Sequence, residues 1–224
     1  MSDGTTAAQQ FYGQWAGLYD WLAQYTPGIG GLRSRAVAAL DLERGDTVVE
    51  MGCGTGANLP YLRERVGPEG TVVGIDYTRG MLDRAQRLVD RNGWDNVHLV
   101  HGDATNVPVE GSVDGVLASF VVGMLSDPER EVESWFDLVE PDGTVVLVDA
   151  ALSERPAAKP LNVLFRLLTV LSTPPTFKFR YEPSPHETLL SRVRAARTVL
   201  YTRARLTHHE SHLLGIVRVT GGKL

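Results

Sequence analysis

Residues 47–59, T-V-V-E-M-G-C-G-T-G-A-N-L, constrain this chain more than any other stretch. An extended-type run beginning at Thr47 ends on an acid, Glu50, and three glycines follow at 52, 54 and 56. Alternating glycines directly after a buried strand let the backbone turn sharply and let a ligand rest on bare main chain. A helix opening near Asn58 would aim its free N–H groups at that ligand. The order is G-x-G-x-G, with an acid two residues ahead of the first glycine, whereas the dinucleotide fingerprint is G-x-G-x-x-G. Two further acids close strand-like runs: Asp76 in T-V-V-G-I-D and Asp103 in H-L-V-H-G-D-A. A carboxylate at Asp76 can accept both hydroxyls of an adenosine ribose.

Together E-M-G-C-G-T-G, G-I-D and H-G-D-A resemble the class I S-adenosylmethionine (SAM) methyltransferases, nearest the group acting on quinone precursors (ubiquinone and menaquinone biosynthesis), sterols and phospholipids. The resemblance covers about residues 11–150. It implies an α/β, Rossmann-like fold in one domain over 1–224: a mostly parallel seven-stranded sheet, helices on both faces, and an antiparallel strand pair at the C-terminus. It implies SAM as cofactor, held by Glu50, Gly52, Cys53, Gly54, Gly56, Asp76, Tyr77, Met81, Asp103, Ala104, Ser119 and Phe120, and no metal. Residues 6–25 carry Phe11, Tyr12, Trp15, Leu18, Tyr19 and Leu22 at three- and four-residue steps, the pattern of an amphipathic helix. The string F-Y-G-Q-W-A-G-L-Y-D resembles the lid helix of the quinone and phospholipid enzymes, although Gly13 stands where that pattern has an acid. The resemblance thus adds Tyr12 to the cofactor site and Tyr19 to the candidate catalytic residues, with packing as the plain alternative for both rings.

The rest of residues 29–150 alternates strand and helix, as a parallel sheet covered on both faces requires. Strands are predicted near 47–52, 71–76, 97–102, 113–120 and 143–150, and helices near 32–41, 58–66, 79–92 and 128–139. Asp127 caps the last of these helices ahead of Pro128, and P-D-G at 141–143 is read as a turn before the fifth strand. The fourth strand ends in A-S-F-V-V-G-M-L, without the D/N-P-P-Y/F sequence that clamps exocyclic amines, and its apolar residues suit a greasy acceptor.

Charge is divided between the two parts of the chain. Residues 1–150 hold 10 Lys and Arg against 23 Asp and Glu, and residues 151–224 hold 12 against 4. Such asymmetry points the basic part at an anionic partner. Residues 151–190 depart from the minimal fold as an apolar and proline-rich insertion. Its segment 161–171 reads as a helix with Asn162, Arg166 and Thr169 in one sector and apolar residues elsewhere, serving as core, lid or membrane-interface element. A basic tract follows, Arg192, Arg194, Arg197, Arg203 and Arg205, read as an anion site or a solvated face. Residues 204–223 read as two strands with a short connection. There His208 and His212 share a face, more in keeping with a solvated edge than a metal site.

Methyl transfer from a sulfonium needs alignment more than acid–base help, so a dedicated base is optional. His186, read in a loop after the apolar segment, is the candidate base; His98 and His101 are assigned to packing of the third strand. Cys53 is the sole cysteine, which excludes an intrachain disulfide. With neither a signal-like N-terminus nor an apolar run of about 20 residues, the sequence predicts a cytoplasmic protein, with peripheral contact at an anionic membrane as an open extension. The reading is therefore a SAM-dependent methyltransferase for a small lipophilic acceptor, a quinone precursor or a phospholipid headgroup. An RNA or protein methyltransferase and a nicotinamide oxidoreductase are the alternatives; no nucleic-acid partner is expected, and oligomeric state is left open.

Overall fold

The computed structural model describes residues 29–107, 111–171 and 185–224. Tyr12 and Tyr19, with the predicted lid helix, lie outside them. The elements run α1 (Ile29–Ala38), β1 (Thr47–Met51), α2 (Leu59–Val66), β2 (Thr71–Asp76), α3 (Arg79–Asn92), β3 (Val97–His101), β4 (Val113–Ser119), α4 (Pro128–Phe136), β5 (Val139–Ala150), α5 (Lys159–Leu171), α6 (Pro185–Arg203), β6 (Leu206–His212) and β7 (Val217–Lys223). The strands form one sheet in the order β3-β2-β1-β4-β5-β7-β6. The first five are parallel, and β7 runs antiparallel to both β5 and β6. This is the Rossmann-like arrangement the sequence predicts.

Strand β1 shows why the sheet is buried on both faces. Val48 belongs to the cluster that packs under α1, α2 and α3, and Val49 to the one under α4 and α6. Adjacent residues of a strand point to opposite faces, so a run with no polar alternation suits a strand covered twice. Trp135 and Phe136 of α4 are almost wholly buried in the second cluster. Asp127 caps α4 as predicted, its carboxylate accepting from the Arg130 N–H at 3.2 Å.

Some boundaries move. Helix α1 starts earlier than predicted, α4 stops at Phe136, and β5 begins at Val139 rather than 143. The P-D-G turn is absorbed into β5 as an irregularity: Asp142 sits at φ 72, and the register with β4 shifts between Val113 and Gly115. A left-handed residue inside a strand accommodates an extra residue without ending the pairing.

The arginine tract divides: Arg194, Arg203 and Arg205 are exposed, as a solvated face expects, while Arg192 and Arg197 turn inward. Arg197 grips the buried Asp149 through Nε (3.0 Å) and Nη2 (3.2 Å). Arg203 reaches Asp137 at 2.8 Å and Glu133 at 3.6 Å, Arg205 lies 3.8 Å from Asp142, and Arg192 donates to the Gly123 carbonyl. Arg197, Arg203 and Arg192 tie α6 to the sheet, to α4 and to the turn after β4, and the Arg205 pair is a surface contact. His208 and His212 share a face, as expected, each about one hydrogen-bond length from the Glu210 carboxylate between them (3.2 and 3.1 Å), with Arg35 of α1 at 3.3 Å.

Candidate functional site

Strand order reverses between β1 and β4, and ligands of such sheets bind in the crevice beyond the strand ends at that point. Glu50 stands near the end of β1 and Ser119 ends β4. The three glycines serve different ends. A Cβ on Gly52 would lie 2.5 Å from Val121 Cγ2, and one on Gly56 would lie 2.7 Å from Leu59 Cδ1, so these two permit close packing. Gly54 has a φ of +56, and none of the described residues beyond its chain neighbours comes within 4 Å of its Cβ position. It alone turns bare backbone toward open space, where a ligand would lie.

Glu50 is almost wholly buried. Its Oε1 accepts from Asn58 Nδ2 at 2.6 Å, and its Oε2 has no partner among the described residues. Burial pushes its carboxyl up to about 8, only partly offset by the Asn58 hydrogen bond and by Arg33. The same Asn58 amide donates to Ser119 Oγ at 3.1 Å, tying the ends of β1 and β4 together across the switch point. An orphaned buried carboxylate oxygen is costly unless a ligand satisfies it. It fits a cationic group such as the amino group of SAM.

Asp76 organises the next strand end. Its Oδ2 accepts from the Gly54 N–H and its Oδ1 from the Thr78 N–H, both at 2.8 Å. Each oxygen keeps a lone pair for a ribose hydroxyl. Burial raises its pKa, against the lowering effect of those two backbone bonds. Tyr77 follows, stacked on His101 with ring centroids 6.2 Å apart, while His101 Nε2 lies 3.0 Å from the Tyr77 carbonyl oxygen. His101 thus packs on the residue that follows β2, in keeping with the role assigned to it, whereas His98 is exposed on the edge strand. Asp103 is exposed and accepts from the Thr105 N–H, and the Ala104 carbonyl accepts from Trp135 Nε1 at 2.9 Å. Met81 is buried in the first turn of α3.

Cys53 is buried against Gly74, whose missing side chain makes room for the sulfur. Burial and the neighbouring carboxylates hold its thiol well above the usual range, so it stays protonated. Phe120 is 44% exposed and left-handed at φ 61, held by its N–H to the Val148 carbonyl at 2.7 Å. A bulky residue at positive φ is costly and persists where the surroundings impose it. Phe120 and the exposed Met124 give the β4–β5 side of the crevice an apolar rim. His186 falls in the first turn of α6 rather than in a loop.

Asn58 and Trp135 are two residues of the site that the sequence does not reveal. Asn58 is one residue ahead of α2, where a polar residue reads as a helix cap, yet its amide is spent on Glu50 and Ser119 and makes no cap bond. Trp135 is 31 residues from its partner and gives no local signal.

The fold is that of the class I, SAM-dependent methyltransferases. Residues 48–143 match the methyltransferase domain family. Among curated relatives, the chain is 32% identical over 131 residues to a demethylmenaquinone methyltransferase of Desulfitobacterium hafniense, covering 58% of this chain and 52% of that one. It is 31% identical over 123 residues to an arsenite methyltransferase of Halobacterium salinarum, covering 54% and 31%. The chain thus spans about half or less of the length of these relatives. Among solved structures, a SAM-dependent methyltransferase from Aquifex aeolicus shares the fold, with a TM-score of 0.64, 18% identity, and coverage of 100% of this chain and 99% of that one. None of the helices among the described residues is long and apolar enough to cross a membrane.

Proposed function

We propose that this protein transfers a methyl group from SAM to a small lipophilic acceptor, a quinone precursor or a phospholipid headgroup. The observation that carries the reading is the crevice itself. An orphaned Glu50 oxygen, the open face of Gly54 and the Asp76 carboxylate lie on its donor side, and exposed Phe120 and Met124 rim its other side. SAM supplies a methyl group already activated on sulfur. Glu50 would hold the amino group and Asp76 the ribose, while the strained backbone of Phe120 keeps its ring beside the place where an acceptor enters. Alignment of this kind accounts for ~7–11 kcal/mol of barrier in well-oriented reactions.

The demethylmenaquinone relative supports a quinone-type acceptor. An arsenite acceptor is disfavoured, because soft metalloids call for thiolates and the one cysteine of this sequence is buried and protonated. His186 remains the candidate base for a phenolic acceptor, and Tyr12 and Tyr19 the candidate lid residues. The test is incubation with methyl-labelled SAM and, separately, quinone precursors, phospholipid, RNA, protein and arsenite. Label in a quinone or phospholipid fraction is expected. Label confined to RNA, protein or arsenite would overturn the acceptor class.

A further inference from the structure

Helix α5 presents to water the side that a soluble helix hides. Its polar Asn162 faces the body, where Oδ1 accepts from the Ser153 N–H at 2.9 Å and Nδ2 donates to the Ser153 carbonyl at 2.7 Å. Phe165 packs against the core. Val163, Leu164 and Leu167 are 67%, 50% and 54% exposed. The turn between β6 and β7 has the same character. Leu213 and Leu214 are exposed, and both occupy the left-handed region, at φ 49 and 58, which costs a leucine free energy.

Ser153 joins the two elements. Besides its two bonds with Asn162, its Oγ donates to the Leu214 carbonyl at 2.5 Å, and the turn Pro156–Ala158 packs against Leu213–Gly215. With Leu161, six of the nine large exposed apolar side chains among the described residues belong to these two elements. Ala150, which ends β5, pairs with Val217, which opens β7, so the surface lies at the same sheet edge as Gly54 and Phe120.

Its surroundings are cationic. Arg155, shortly ahead of α5, and Lys159, its first residue, are exposed. Arg218 is half-buried, donates to the carbonyls of Gly215 and Leu152, and lies within the influence of Arg194 and Arg197, with Asp149 and Glu154 offsetting part of the charge. An exposed apolar patch with a polar rim marks a docking surface, and apolar groups beside basic ones suit the interface of an anionic bilayer.

We propose that α5 and the Leu213–Leu214 turn form a docking surface for an anionic lipid bilayer, with the leucines below headgroup level and Arg155, Lys159 and Arg218 among the phosphates. A second copy fits less well, because a two-fold contact through this patch sets each cationic rim against its own copy. The acidic residues 1–150 add direction, since a negative surface repels that part of the chain while it attracts residues 151–224. The lipophilic-acceptor reading supplies the purpose of such a surface, and the surface is testable without turnover.

The test is co-sedimentation of the full chain with vesicles of phosphatidylglycerol and phosphatidylcholine, and with phosphatidylcholine alone. Binding is expected to the anionic vesicles only and to weaken with salt. Leu213→Asn with Leu214→Gly removes both apolar side chains and relieves the left-handed backbone, so partitioning should fall about tenfold or more while the melting temperature holds or rises. Val163→Asp with Leu167→Asp should weaken binding alike, with the circular dichroism spectrum unchanged. The proposal is overturned if the wild type ignores anionic vesicles, or if both variants bind them as the wild type does. Sedimentation equilibrium showing a dimer that both variants dissolve would likewise overturn it and assign the surface to a second copy. Absent vesicle binding with methylation of a detergent-dispersed quinone sinks the docking surface alone. Vesicle binding with methylation confined to a water-soluble acceptor sinks the acceptor reading alone.

Discussion

At the scale of single residues, Glu50 is the most consequential group in the molecule. Its pKa stands at about 8 against an ordinary 4.5 because burial disfavours the charge. A carboxyl raised in the folded state contributes stability that is fully present below its unfolded pKa and lost as pH rises through its folded one. The ligand-free protein should therefore lose stability between pH 4.5 and about 8, and Glu50→Gln should flatten that slope. If Glu50 holds the SAM amino group as proposed, binding needs its ionised form, and affinity should rise with pH by at most about tenfold per unit and level off above pH 8, with protons released. Calorimetry in buffers of different ionisation heat reads this directly. A flat affinity profile in the wild type would remove Glu50 from the cofactor site.

At the scale of elements, α6 depends on a charge pair taken almost wholly out of water. Asp149 is 2% exposed and Arg197 12%. Burial raises the Asp149 carboxyl to about 6 in spite of Arg197 and Arg218. Breaking such a pair strands one charge, so Arg197→Met should cost about 3–5 kcal/mol, and adding Asp149→Leu should recover most of it. The Asp149 contribution is present below its ordinary pKa of 3.8 and lost as pH rises through about 6. The single variant should therefore suffer more at high pH than at low pH, which urea unfolding at two pH values would show. Equal losses at both would mean that α6 is held by packing of Val193, Ala196 and Leu200 instead.

For the whole molecule, both core clusters among the described residues are built from residue 32 onward, and the seven described strands lie beyond residue 46. Deleting residues 1–22 should leave the melting temperature within a few degrees of the full chain, a shift of roughly 1 kcal/mol or less. Methyl transfer should be lost if Tyr12 and Tyr19 belong to a lid, and unchanged turnover would reduce that stretch to packing. Charge is also a property at this scale. The acidic and basic parts were legible by counting alone, but which cations face solvent depends on carboxylates far away in the chain. Arg197 meets Asp149 across 48 positions and Arg203 meets Asp137 across 66.

The sequence by itself determined the local units: the strand, the glycine turn, the opening helix, and acids at the ends of β1 and β2. Each follows from contacts within a few residues, where strand burial and turn chemistry act. Only the tertiary structure decided that Asn58 links Glu50 to Ser119, that Trp135 braces Ala104, and that Arg197 of α6 is spent on the buried Asp149. It also decided the outward direction of α5. A helical wheel sets the angle between Asn162 and Leu164 but not which of them faces the sheet, and that phase was settled here by the hydrogen bonds of Ser153.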